Sequence, residues 1–234
     1  MRRARQFASC LALLCATDAS AQEITAASYA DPTTRYAHGV LGDAVEWGAL
    51  RLDLSDGRRV KITLPDTLVF EDTAPRLADL DGDGGPEVIV VEAALDRGAR
   101  LAVYDQTGRI TATPHIGRAN RWLAPVGAAD LDGEGAVEIA YIDRPHLAKT
   151  LRVWRYRDRR LVHVADAPGL TNHRIGWDFI PGGIRDCGTG PEIVTAKADW
   201  SAIMVTRLKA GQLASTALRA YDGPDSLNVA LTCP

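Results

Sequence analysis

The sequence predicts an all-β chain of stacked repeats, on three observations. Two acidic loops of one design, Asp79-Leu80-Asp81-Gly82-Asp83-Gly84-Gly85-Pro86-Glu87 and Asp130-Leu131-Asp132-Gly133-Glu134-Gly135-Ala136-Val137-Glu138, stand 51 residues apart. Each is flanked by short strand-like runs, 76–78 and 88–91 around the first, 127–129 and 139–142 around the second. A degraded third copy at 183–194 keeps its first Asp, the Gly turn, the Pro-Glu and the following strand, but is shorter and has lost the middle carboxylates. A period near 50 residues with four short strands per unit is the pattern of a β-propeller.

Taken in order, residues 36–41, 49–54 and 59–64 read as three strands with a Ser55-Asp56-Gly57 turn. The first full unit then follows: an inner strand from residue 76, then 88–91, 99–104 and 109–113. The second has 123–129, 137–142, 150–156 and 160–164; the third has 179–185, 192–196, 203–208 and 212–218. Residues 227–232 read as one more inner strand. Added to the three N-terminal strands it completes a fourth blade, so the expected fold is a small four-bladed propeller closed by the C-terminal strand pairing into the N-terminal blade, which removes open sheet edges.

In each acidic loop, carboxylates at positions 1, 3, 5 and 9 can converge on one hard cation, with Gly at positions 4 and 6 letting the backbone curl. The candidate ligands are Asp79, Asp81, Asp83 and Glu87 in the first loop and Asp130, Asp132, Glu134 and Glu138 in the second, and the expected ion is calcium. An EF-hand is excluded, because its twelfth position needs Glu and here holds Val90 and Tyr141. These loops and their flanking strands resemble the FG-GAP/VCBS repeats of integrin α-chains and many secreted bacterial proteins. The resemblance implies a calcium-stabilised propeller over residues 35–234 in which the metal has a structural role.

The N-terminus carries Arg2, Arg3 and Arg5, an apolar run over 7–16 and Ala19-Ser20-Ala21, the pattern of a signal peptide cleaved after Ala21. Residues 22–34 would be a tether or a strand along the first blade. Export to the periplasm or beyond is thus expected, and no second apolar stretch is long enough to span a bilayer. Removing three Arg and one Asp with the leader moves the formal charge from −3 to −5. That mild acidity, with no basic block, argues against a nucleic-acid partner. Cys10 and Cys15 depart with the leader. Cys187 and Cys233 remain, and an oxidising compartment favours their pairing across the ring closure.

The segments entering the inner strands form the face opposite the acidic loops. They place Arg121, Trp122, Asn172, His173 and Arg174 there as candidate ligand-binding residues, Arg offering a planar fork and Trp a stacking face. No nucleophile elbow, P-loop or dinucleotide fingerprint occurs. The expected function is therefore non-catalytic binding of a protein, peptide or carbohydrate. The alternatives are a calcium-assisted polysaccharide lyase or glycosidase, which needs paired carboxylates or a His/Arg/Tyr cluster on the axis, and a purely structural assembly module.

Overall fold

The structure is a computed structural model that describes residues 23–233, so the expected signal peptide lies outside the described residues. It is all-β but for one short helix, with three antiparallel sheets of eight, four and five strands. The acidic-loop repeats each form a four-stranded unit. The first comprises an inner edge split into β4 (Leu68–Phe70) and β5 (Arg76–Ala78), then β6 (Glu87–Ala94), β7 (Gly98–Asp105) and β8 (Gly108–Ala112). The second has an unbroken inner strand β9 (Leu123–Ala129), then β10 (Glu138–Asp143), β11 (Thr150–Arg157) and β12 (Arg160–Pro168). The third again has a split edge, β13 (Leu170–Thr171) and β14 (Gly183–Asp186), followed by β15 (Pro191–Lys197), β16 (Ala202–Lys209) and β17 (Gln212–Ala220).

The N-terminal part departs from a separate blade. Residues 24–33 form strand β1 (Ile24–Thr33) rather than a tether, and pair with β2 (Glu46–Leu54), which also carries β3 (Arg59–Thr63). This group is fused to the first repeat, because β4 pairs with β2 through Trp47 and Phe70 and with β6 along its whole length. Residues 36–41 are not a strand. The segment turns at Gly39 (φ +66°), buries Tyr36 and Val40 in the central core, and reaches the third repeat, where the Gly176 amide donates to the Val40 carbonyl (3.1 Å).

The expected C-terminal strand is also corrected. Residues 225–231 are helix α1 (Asp225–Leu231), started by Pro224, and it packs on β14, β15 and β16 of its own repeat. Leu227, Ala230 and Leu231 follow the three-and-four spacing of a helix face, with Leu227 and Ala230 buried, so the apolar run closes no ring by strand pairing. The disulfide does form: Cys187, just after β14, joins Cys233, just after α1, with Cα atoms 5.6 Å apart. It fastens the terminal helix to the third sheet instead of bridging two inner strands.

Alternation along β6 explains why that strand is apolar throughout. Ile89, Val91 and Ala93 enter a core shared by the three repeats with Leu101, Leu123, Ile139, Leu151 and Ile193. Val88, Val90 and Ala94 point the other way, into a second core with Leu50, Leu52, Phe70 and Tyr104. A strand covered on both faces loses the polar half of its pattern.

Candidate functional site

The first acidic loop joins β5 to β6 and is wound by its own side chains. Asp79 accepts from the Gly82 amide (2.8 Å) and the Gly84 amide (3.1 Å), Asp81 from Asp83 (3.3 Å), and Asp83 from Gly85 (2.8 Å). Gly82 and Gly84 both take positive φ, 78° and 95°, which is what lets successive amides turn inward. Glu87 returns from the start of β6 to accept from the Leu80 amide (2.9 Å). Asp79, Asp81 and Glu87 thereby bring carboxylate oxygens within 4.8 Å of one another and could hold a metal ion; Asp83 stays outside the group. Among the described residues no cationic side chain lies within ion-pair distance of these carboxylates. Burial lifts the Glu87 carboxyl above its ordinary range against the Leu80 amide, and the Asp81 and Asp83 charges add to the lift. Beside it, the buried Tyr156 hydroxyl has no hydrogen-bond partner; burial, then the Glu87 carboxylate, push it up to about 12.

The second loop repeats this winding except for the Asp83–Gly85 contact, which has no counterpart at Glu134 and Ala136. Asp130 accepts from Gly133 (2.8 Å) and Gly135 (2.9 Å), Asp132 from Glu134 (3.2 Å), and Glu138 from Leu131 (2.8 Å). Asp130, Asp132 and Glu138 again converge, and Glu134 again stays out. The difference is Arg155, directly opposite Glu138 in the β10–β11 register. Its Nε donates to Glu138 (2.5 Å), one terminal nitrogen reaches Asp132, and the other lies 3.3 Å from Glu134. The hydrogen bond to Glu138 holds the guanidinium still more firmly protonated. In the third copy Asp186 accepts from Gly188 and Gly190, while Arg185 and Arg207 bracket Glu192. Burial would raise Glu192, but the two arginines outweigh it and hold the carboxyl below its usual range.

At the other end of the same strands lies a pocket of about 270 Å³. Leu123 and Asp143 mark that end of the β9–β10 ladder, and Ala129 and Glu138 the loop end. Its polar side is His38, Arg121, Arg144 and His146; Val40, Trp122, Leu147 and Ile175 supply the apolar side. Trp122 is buried as a wall, its indole N–H donating to the Glu71 carbonyl (2.8 Å). His38 Nδ1 meets, at 2.5 Å, the buried Glu71 carboxyl group, which burial and then Asp72 push well above its ordinary range. His146 Nε2 donates to His173 Nδ1 (3.0 Å), a direction required because His173 Nε2 must donate to the Trp177 carbonyl (2.9 Å). Burial, then His173, push His146 down to about 4, and burial also lowers His38 and His173, so the pocket histidines are neutral near pH 7. Beneath them lie the buried carboxyls Glu46, Glu71 and Asp72. Asp72 pairs with Arg76, whereas burial and then Glu71 push Glu46 up to about 9.

Of the five residues expected to form a binding mouth, Arg121 and Trp122 line this pocket. Asn172 is buried, its amide donating to the Ala124 and Pro125 carbonyls, and His173 is buried beneath His146. Arg174 is exposed on the rim, stacked over the Trp200 ring at 4.5 Å. Sequence reasoning missed His38, which lies in a segment expected to be a strand, and Arg155, whose only signal is its place across the sheet from Glu138.

Fold and loops together define a class: an all-β repeat protein whose repeats are closed by acidic turns. More particularly, residues 64–141, from the strand before the first loop through the second, match the family described as FG-GAP-like repeat, and this part of the chain carries that repeat. No curated protein matches the chain. Among solved structures, the rhamnogalacturonan lyase YesW is similar at 14% identity and a TM-score of 0.43, over 76% of this chain and 43% of that one. The chain thus spans less than half the length of that protein.

Proposed function

We propose that this chain is an exported, calcium-stabilised binding module that docks a protein partner on the face bearing the pocket. The observation that carries the reading is the rim. Leu147 and Ile175 are 63% and 71% exposed, and Phe179, at 41%, continues the apolar surface as it stacks on Trp177 (4.9 Å). Trp177 meets Trp200, which meets Tyr221. Arg121 and Arg174 stand at this surface with no carboxylate within ion-pair distance among the described residues. Aromatic and arginine side chains around an apolar centre are the composition of protein interfaces, and contiguous exposed apolar patches are uncommon without a partner. Trp122 is buried and the most exposed rim residues, Leu147 and Ile175, are aliphatic, so a peptide segment pairing an apolar anchor with a carboxylate fits the pocket.

At the other end, the first loop fits calcium: its donors are hard oxygens, three carboxylates converge, among the described residues no cation lies within ion-pair distance of them, and a buried hydroxyl beside Glu87 lacks a partner. Asp79, Asp81 and Glu87 would hold the ion, which would supply the positive charge that pins the β5–β6 turn. Selection from a random peptide library is the test. Enriched peptides should combine acidic with aliphatic residues, and Arg121→Ala with Arg174→Ala should abolish their binding while thermal stability is kept. Enrichment insensitive to both changes would defeat the reading.

A further inference from the structure

We propose that the residue across the sheet from each loop's closing Glu decides where the cation comes from, so that the second acidic loop is a closed, metal-independent copy whose cation is the Arg155 guanidinium. The inference rests on the reading of the first loop as the calcium site. Turn winding does not separate the loops, since each first Asp accepts two Gly amides, each third-position Asp accepts one amide, and each Glu accepts the amide of the second loop residue. What differs lies on the next strand. Arg155 registers with Glu138. Val88 registers with Tyr104, and continuing that ladder sets Asp105 opposite Glu87. In the third copy Ile193 registers with Thr206, which sets Arg207 opposite Glu192, the residue it pairs with at 2.8 Å.

The three copies therefore form a series. An acid faces the closing Glu in the first and a guanidinium in the second and third, and the third has also lost its middle loop carboxylates, keeping only Asp186. Arg155 is suited to the role because its planar fork serves three carboxylates at once, Glu138, Asp132 and Glu134, two of them buried against solvent. A divalent cation entering that loop must displace a guanidinium already held by three carboxylates, and the displaced charge would sit beside the ion. In the first loop nothing needs displacing. Asp105 is instead held by Arg159 from the second sheet at 2.8 Å, which leaves Glu87 to the loop.

The experiment counts calcium ions bound to chelator-treated full-length protein by titration calorimetry with native mass spectrometry. The expected count is one for the wild type and two for Arg155→Gln. Asp81→Asn should bring the wild-type count to zero and Asp130→Asn should leave it at one, a pair that decides the matter even if Arg155→Gln fails to fold. Two ions on the wild type, loss of the ion in Asp130→Asn, or a folded Arg155→Gln that still binds one would overturn the proposal. A wild-type count of zero with one ion on Arg155→Gln would uphold the role of Arg155 and discard the first loop as the calcium site.

Discussion

The two acidic loops share the glycines at positions 4 and 6 and the amide contacts of their first, third and ninth residues, yet they stand in opposite electrostatic states. The first leaves Asp79, Asp81 and Glu87 with backbone amides alone, while the second passes the charges of Asp132, Glu134 and Glu138 to Arg155. Gathered carboxylates cost free energy unless a positive charge offsets them, and that charge can be recruited from solution or built into the chain. A loop motif specifies the turn, and the strand beyond it specifies the cation. The third copy takes the same course further, with Arg185 and Arg207 on Glu192 and a disulfide beside the turn.

Removing that disulfide is expected to have the largest effect among tests of this comparison. Cys187→Ser with Cys233→Ser should cost about 3–4 kcal/mol, by freeing a loop of 46 residues' separation in the unfolded chain. Denaturant unfolding would measure it, and a loss confined to the third repeat in hydrogen exchange would sharpen the claim that each repeat closes its turn by its own device. Next comes Arg155→Ala without calcium. It strands the buried Glu138 and should cost about 2–3 kcal/mol, below the full cost of breaking a buried pair because the guanidinium is 19% exposed. An unchanged midpoint would mean that Arg155 only decorates the loop.

Calcium itself should stabilise the wild type by about 2.7 kcal/mol at a hundredfold excess over its dissociation constant, and Asp81→Asn should abolish the gain. A further contrast comes from the buried acid at the far end. Glu46 keeps its proton up to about 9 when folded, while the unfolded chain ionises near 4.5, so stability attributable to this group falls as pH rises between those values. Glu46→Gln should thus gain in stability over wild type as pH rises from 4 to 8 and be indistinguishable from it near pH 4. His146 works with the opposite sign. Its folded value of about 4 against 6.5 unfolded means stability present above 6.5 is lost as pH falls toward 4, a slope that His146→Gln should flatten in the same melts.

Much of this was legible in the sequence, for reasons visible in particular residues. The Asp-Gly spacing declares the turns because only those residue types curl a chain so tightly, and apolar runs such as 88–91 declare strands covered on both faces. Cys187 and Cys233 could pair only with each other once Cys10 and Cys15 were assigned to the leader. Ring closure was not legible. Residues 36–41 alternate like a strand but turn at Gly39 and plug the core, and residues 227–232 carry an apolar spacing that suits a helix as well as a strand. Polar runs also mislead: Asn172 and His173 look exposed in sequence but are buried, the Asn172 amide nitrogen on backbone carbonyls with its Oδ1 unpartnered, and His173 between His146 and the Trp177 carbonyl. Arg155 could be assigned its role only through strand register, which no loop motif contains.

The most direct test of the contrast between the loops is a high-resolution crystal structure of the wild-type protein grown with millimolar calcium. Metal density is expected among Asp79, Asp81 and Glu87, with the Arg155 guanidinium still lodged between Asp132 and Glu138. Metal density in both loops, with Arg155 swung out to solvent, would contradict it.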